Sequence, residues 1–304
     1  MKTGRSLTEL AQELERQAQT KRDFLISTAD AECLPPAADR PTAYTLRFTV
    51  GDEAVQPVVR DLCHDQLGAH LGIPKPYYER LRSQVPELLV ENINGWFRHQ
   101  PERRLVRTLD NGARAFLSDR YRPLDNFDLA DAVLPVLEQT AGVHIVSCDV
   151  TERRFYLKAV NARVEGEVEP GDVVQAGVAI ANSEVGDGAL RIEPLLYRLV
   201  CRNGLIAADH SLRRFHTGSR LTGSTDLHWE VLRDETKAQS ERALWMQVQD
   251  LVKAALAETL FHRVLHTVQP TVQQPIAGDP HKAVEVTAEK FRLTDTERGS
   301  VLRH

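Results

Sequence analysis

Seven arginines lie between Arg98 and Arg122, and five more between Arg198 and Arg220; neither segment contains a lysine. A guanidinium is a planar fork that matches phosphate oxygens and stacks on bases and rings, which an ammonium does not. In the first segment Arg103, Arg104, Arg107, Arg114, Arg120 and Arg122 are interrupted only by Glu102, Asp110 and Asp119. In the second, Arg198, Arg202, Arg213 and Arg214 are opposed by Asp209 alone. Phe116, Tyr121, Tyr197 and Phe215 are interleaved with them, and Arg191 precedes the second group. A third run, Arg153 to Val160, alternates so that Arg154, Tyr156 and Lys158 share one face and Phe155, Leu157 and Ala159 the other. Cations interleaved with exposed rings suit single-stranded nucleic acid, where charge holds phosphates and stacking contributes about 1–3 kcal/mol per base. The bland alternative is solvated charge offset by the 43 acidic residues.

A nuclease or hydrolase built on Cys201, His210, His216 or Glu184 is the enzymatic alternative. The Cys and His spacings match no zinc pattern. Asp149 followed by Phe155 to Lys158 lacks a metal nuclease's second carboxylate, because Tyr156 occupies that position. In Asn182-Ser-Glu-Val-Gly186 the Asn and Ser suit turn backbone, and Glu184 is expected to pair with an arginine such as Arg191. The expectation is therefore a non-enzymatic protein with no catalytic residue, no metal and no cofactor. A protein-binding inhibitor of a host defence or repair complex is a third possibility, which the net charge of −5 also suits.

These residues need elements to position them. Ser6-Leu-Thr-Glu9 is a capping box opening a helix to about Lys21. Residues 34–42 read as a loop, 43–50 as a strand, and 57–100 as helices broken at Gly72 to Pro76. Residues 103–118 read as a hairpin turning on Asn111-Gly112; that centring pairs Leu109 with Arg114, Arg107 with Phe116 and Leu105 with Ser118. A helix over 126–140 is followed by strands near 143–149, 153–160, 173–181, 189–201 and 212–217. Short connections between most neighbours favour antiparallel pairing. Residues 226–267 read as a long helical region, and Asp279-Pro280 starts another helix. Thr294-x-x-Glu297 is a second capping box two turns before His304, so the natural chain is expected to continue. The expected class is α+β: a core over residues 1–225 with a central, mostly antiparallel sheet flanked by helices, then a helical region over 226–304.

At 304 residues with 42% hydrophobic and 27% charged residues, the chain can bury a sizeable core. No apolar run approaches a membrane span, and the N-terminus does not read as a signal peptide, so a cytoplasmic location is expected. Cys33, Cys63, Cys148 and Cys201 are too scattered for a disulfide framework; Cys148 and Cys201, in strand-like apolar runs, are expected as buried thiols.

The stretches Gly72-Ile-Pro-Lys-Pro-Tyr-Tyr78, Leu117-Ser-Asp-Arg-Tyr-Arg-Pro-Leu-Asp-Asn126, Asn182-Ser-Glu-Val-Gly186, Cys201-Arg-Asn-Gly204 and Arg214-Phe-His-Thr-Gly218 resemble the bacterial phage/plasmid-like protein family, domain of unknown function 932. The resemblance implies a role in mobile-element DNA metabolism. The family is in turn similar, more remotely, to single-strand annealing proteins of the Red-beta, Erf and Rad-type recombination mediators. That likeness implies single-stranded DNA as partner, strand annealing as activity, and self-assembly into rings or filaments, with the helices after Asp226 as a candidate contact.

Overall fold

The computed structural model describes residues 5–40, 42–199, 204–206, 212–214, 234–272, 279, 282, 285 and 286. Helix α1 (Leu7–Thr20) opens as its capping box requires: the Glu9 N–H donates to Ser6 Oγ at 3.2 Å, and the Ser6 N–H donates to Glu9 Oε2 at 2.8 Å.

The first sheet holds β1 (Arg22–Ser27), β2 (Ala31–Leu34), β3 (Thr45–Val50), β4 (Glu53–Val55), β5 (Val58–Val59), β6 (Arg103–Leu109) and β7 (Gly112–Ser118). Their order is β1-β6-β7-β5-β3-β2, with β4 on β3; the β5–β7 pair is parallel and the others antiparallel. β1 and β2 stand at opposite ends of that order, yet one 3-10 turn, Thr28–Asp30, joins them. The sheet must therefore curl until its edges approach. Its core is closed by α2 (Asp61–His70), α3 (Lys75–Gln84) and α4 (Pro86–His99), with Phe48, Leu67, Tyr78, Ile93, Phe97, Val106 and Phe116 buried together. Asn94 on α4 substitutes for a neighbouring strand at the β2 edge. Its Oδ1 accepts from the Cys33 N–H at 2.7 Å, and its Nδ2 donates to the Cys33 carbonyl at 2.9 Å.

The second sheet holds β8 (Val143–Val150), β9 (Phe155–Glu167), β10 (Val173–Asn182), β11 (Leu190–Arg198), β12 (Gly204–Ile206) and β13 (Leu212–Arg214). The order is β12-β11-β10-β9-β8, with β13 also on β11, and every described pair is antiparallel. One face is covered by α1, α5 (Asn126–Gln139) and α6 (Asp234–Ala255), which bury Leu14, Val133, Val248 and Val252 against Leu157, Val178 and Ile192. α7 (Glu258–Val272) packs Phe261, Val264 and Leu265 on Val174, Ala176 and Leu196. The buried clusters thus divide near residue 120. α1 is the exception, since it precedes the first sheet but packs on the second. α6 shares the second sheet's core. The protein is α+β, a curled, mostly antiparallel sheet beside a second antiparallel one.

The structure departs from expectation in several places. β1, β2 and β4 arise where no strand was expected, and β5 occupies the start of the 57–100 segment read as helices. The long helical region breaks between Ala255 and Glu258. The hairpin turns one residue early: Asp110 and Asn111, with φ of +50° and +58°, are the central pair of the type I′ turn. Gly112 serves a different need, because a Cβ there would sit 2.3 Å from Arg60 Nε. The observed pairs are Leu109 with Gly112 and Thr108 with Ala113; beyond a bulge they become Arg107 with Ala115 and Val106 with Phe116. Arg114 is the extra residue of that bulge, which turns its side chain toward the same region as Arg107.

Candidate nucleic-acid interface

The turn between β10 and β11 clasps the two sheets together. Glu184 Oε2 accepts from Arg114 Nη2 at 2.6 Å, and Oε1 accepts from the Asn126 N–H at the start of α5, also at 2.6 Å. The Glu184 carbonyl accepts from Arg107 Nη1 at 2.7 Å. Arg107 is fully buried and donates twice more, to Asp23 and Asp125 at 2.8 Å each; Lys21 Nζ lies 2.5 Å from the other Asp125 oxygen. Burial alone would push the Arg107 guanidinium pKa down, but Asp125, Asp23 and Glu184 raise it above its ordinary value. Burial likewise pushes the Asp125 carboxyl up, and the charges of Arg107 and Lys21 outweigh it and hold it low. Gln66 adds a bridge, donating to the Val185 carbonyl and accepting from the Phe116 N–H, both at 2.7 Å.

Gly186 is required in this clasp for two reasons. Its φ is +76°, and a Cβ would sit 2.7 Å from Leu117 Cδ2. Gly186→Ala is expected to cost about 1–2 kcal/mol from the left-handed backbone alone. A thermal melt of the variant checks this, and an unchanged midpoint would contradict the close packing.

The other face of the second sheet is covered at one end, where Val160, Leu195 and Tyr197 are buried, and among the described residues it is open at the end nearer the clasp. Tyr156 pairs across the strands with Asp149 on one side and Ala181 on the other; Ala181 pairs with Arg191, and Arg191 with Arg213. The next row runs Ser147, Lys158, Ala179 and Glu193. Directly paired residues share a face. Ala179 and Ala181 therefore floor a shallow trough between Tyr156 and Lys158 on β9 and Arg191 and Glu193 on β11. With strands ~4.8 Å apart, the two walls stand about 10 Å apart. Tyr156 is 43% exposed. Arg154 Nη1 donates to the Tyr156 hydroxyl at 3.2 Å, and its Nε donates to Asp187 Oδ2 at 3.3 Å. The Asp187 N–H in turn donates to Ser183 Oγ at 3.0 Å, so the outer end of the clasp orients Arg154 beside the ring.

The expected site residues are thus split. The structure brings Arg154, Tyr156, Lys158 and Arg191 together on the open face. It corrects the accessibility of others. Arg107 and Arg114 are consumed by the buried clasp, and Arg122 is buried beside Glu241, 3.3 Å away. Phe116 is a core ring stacked on Phe97 at 5.8 Å, with the half-buried Arg104 guanidinium 5.1 Å above it. Tyr197 is buried with Val160 and Leu195. Arg103 and Arg120 are exposed on the first sheet's hairpin, and Arg198 is paired with Asp172 at 2.8 Å. Arg213 and Arg214 lie in β13, of which the backbone is described; Arg202, Cys201, His210 and His216 lie outside the described residues, as do the capping box at Thr294 and Pro280 of the expected Asp279-Pro280 helix start. Glu184 pairs with Arg114 and not Arg191, because the clasp turn points away from the open face. Sequence reading missed Asp23, Asp125, Gln66 and Asp187. Their arginine and backbone partners across the clasp are 18 to 119 positions distant, and no local pattern announces them.

Among the described residues no group of three metal-ligating side chains converges, and no helix is long and apolar enough to cross a membrane. Cys33, Cys63 and Cys148 are buried free thiols, and burial pushes Cys33 up to about 12.

A curled, mostly antiparallel sheet clasped to a second antiparallel sheet defines a two-sheet α+β protein. The chain belongs to the family described as Domain of unknown function (DUF932), whose model matches residues 115–301. The match begins within β7 and takes in the clasp and the second sheet, while β1 to β6 lie outside it. No curated protein and no solved structure matches the chain.

Proposed function

We propose that this protein binds single-stranded DNA on the open face of the second sheet and promotes strand annealing for a mobile genetic element, without covalent chemistry. One observation carries the reading: an exposed tyrosine held beside an oriented arginine, with Lys158 and Arg191 across an alanine-floored trough. Arg154 and Lys158 hold phosphates, and a base stacks on Tyr156. Stacking leaves Watson–Crick edges free, which annealing to a second strand requires. The more remote resemblance to annealing proteins expected from the sequence implies the same reading, and self-assembly would align successive troughs along one strand.

Asp149, Glu193 and Asp187 share this face or its rim, so electrostatics contributes modestly. With three cations engaged, the salt dependence has a slope near −0.7 per phosphate contact, or about −2 overall. Fluorescence polarisation of a labelled oligothymidine across a salt series tests this. Absence of binding at about 50 mM salt, where phosphate contacts are strongest, would remove the proposal.

A further inference from the structure

Helix α4 buries Leu89, Val90, Ile93, Asn94 and Phe97 and presents its opposite side to solvent. That side is not the polar surface expected of a solvated helix. Val85, Leu88 and Trp96 are 44%, 40% and 44% exposed. Leu88, Glu91, Asn92, Gly95, Trp96 and His99 line a concavity of about 330 Å³ along the helix. Val85, Leu88, Asn92, Gly95 and His99 follow one another at intervals of three and four, the spacing of a two-helix seam. Gly95, with no side chain, keeps the middle of the seam low, and the space beside it is open, with nothing within 4 Å of where a Cβ would stand. Trp96 stands beside it with its ring edge-on to His99 at 5.7 Å.

The charges along the helix identify the occupant. Glu87 and Glu91 lie toward its start, and Arg98 and His99 at its end. A nucleic acid would meet Glu87 and Glu91 with like charge. A second α4 running antiparallel presents its basic end to those acids and its acidic end to Arg98 and His99, and opposes the helix dipoles favourably. A two-fold axis at Asn92 sets Leu88 against the partner's Trp96 and Val85 against the partner's His99. A polar residue on the axis fixes register, as asparagine does in two-stranded seams.

We propose that α4 is a self-association surface on which two copies of this chain pair antiparallel about Asn92. The helix is about 21 Å long at 1.5 Å per residue. A single helix pair of that length stays below about 1,200 Å², in the range of weak, reversible contacts.

Sedimentation velocity without DNA tests the pairing, so its outcome is separate from that of strand binding. The chain is expected to dimerise at about 10–100 µM. Leu88→Glu combined with Trp96→Glu is expected to weaken association at least tenfold. Both sites are solvent-facing, and circular dichroism checks that the fold persists. Asn92→Cys supplies a second readout. Diamide oxidises two thiols to one disulfide and is itself reduced, and a covalent dimer absent from the parent chain is expected. Three results overturn the proposal: a parent chain that is monomeric throughout that range, a double variant that associates as strongly as the parent, or no added covalent dimer from Asn92→Cys. Docking of the chain's own C-terminal segment on α4 would appear as the first of these.

Discussion

Arg107→Ala is expected to lower the unfolding free energy by about 3–5 kcal/mol, the cost of removing one partner from a buried ion pair. The side chain is fully buried and touches both sheets, reaching Asp23 on β1, Asp125 before α5, and the Glu184 carbonyl in the clasp. Truncation leaves two carboxylates and a carbonyl without their donor. Lys21 still faces Asp125, so part of that charge remains compensated. Against a typical domain stability of about 5–15 kcal/mol, the loss is large. It should appear as a shifted urea midpoint, and a change under about 1 kcal/mol would show that the clasp is not a stabilising element.

The acid limb should move as well. In the folded protein Asp125 is held below its ordinary value, so its contribution is present above the unfolded value and is lost as pH falls through the folded one. Removing Arg107 takes away the leading favourable charge. The Asp125 value then rises, and acid unfolding begins at higher pH than in the parent chain.

Tyr156→Ala is expected to weaken oligothymidine binding by about 1–3 kcal/mol, roughly 5- to 150-fold, because a stacked base loses its platform. Tyr156→Phe separates the ring from its hydroxyl. It keeps the stacking surface and loses only the exposed 3.2 Å contact from Arg154, so its affinity should stay within about threefold, given ~0.5 kcal/mol for a bond at the low end of the usual range. The residue is 43% exposed, so stability should hardly change in either variant. Equal affinity in Tyr156→Ala and the parent would move the binding surface off this face, even if the protein bound DNA elsewhere.

Local signals were strong enough to be read from residues alone. The Ser6 capping box opened α1 because both of its hydrogen bonds close within three residues. The alternation of Phe155 to Ala159 put Phe155, Leu157 and Ala159 in the core and left Tyr156 on the open face, because a strand's period is fixed at two. The hairpin over 103–118 was legible as a hairpin but not in register. Asn-Gly is the favoured type I′ pair, but Gly112 was taken up by the approach of Arg60, and the turn fell on Asp110-Asn111. That shift, with the bulge at Arg114, changed which residues look outward.

The arginines show the division most sharply. Sequence determined that the hairpin carries guanidinium groups without lysine, that β9 presents a ring between two cations, and that Asn182 to Gly186 is a turn. All of these are properties of a few consecutive residues. Only the tertiary structure decided that Arg107 and Arg114 hold the two sheets together while Arg154 and Arg191 face solvent. An arginine looks the same in sequence whether its counter-charge is a ligand's phosphate or a carboxylate 84 residues away. Burial and pairing are set by which distant segments meet, and long-range contact is not written in local spacing.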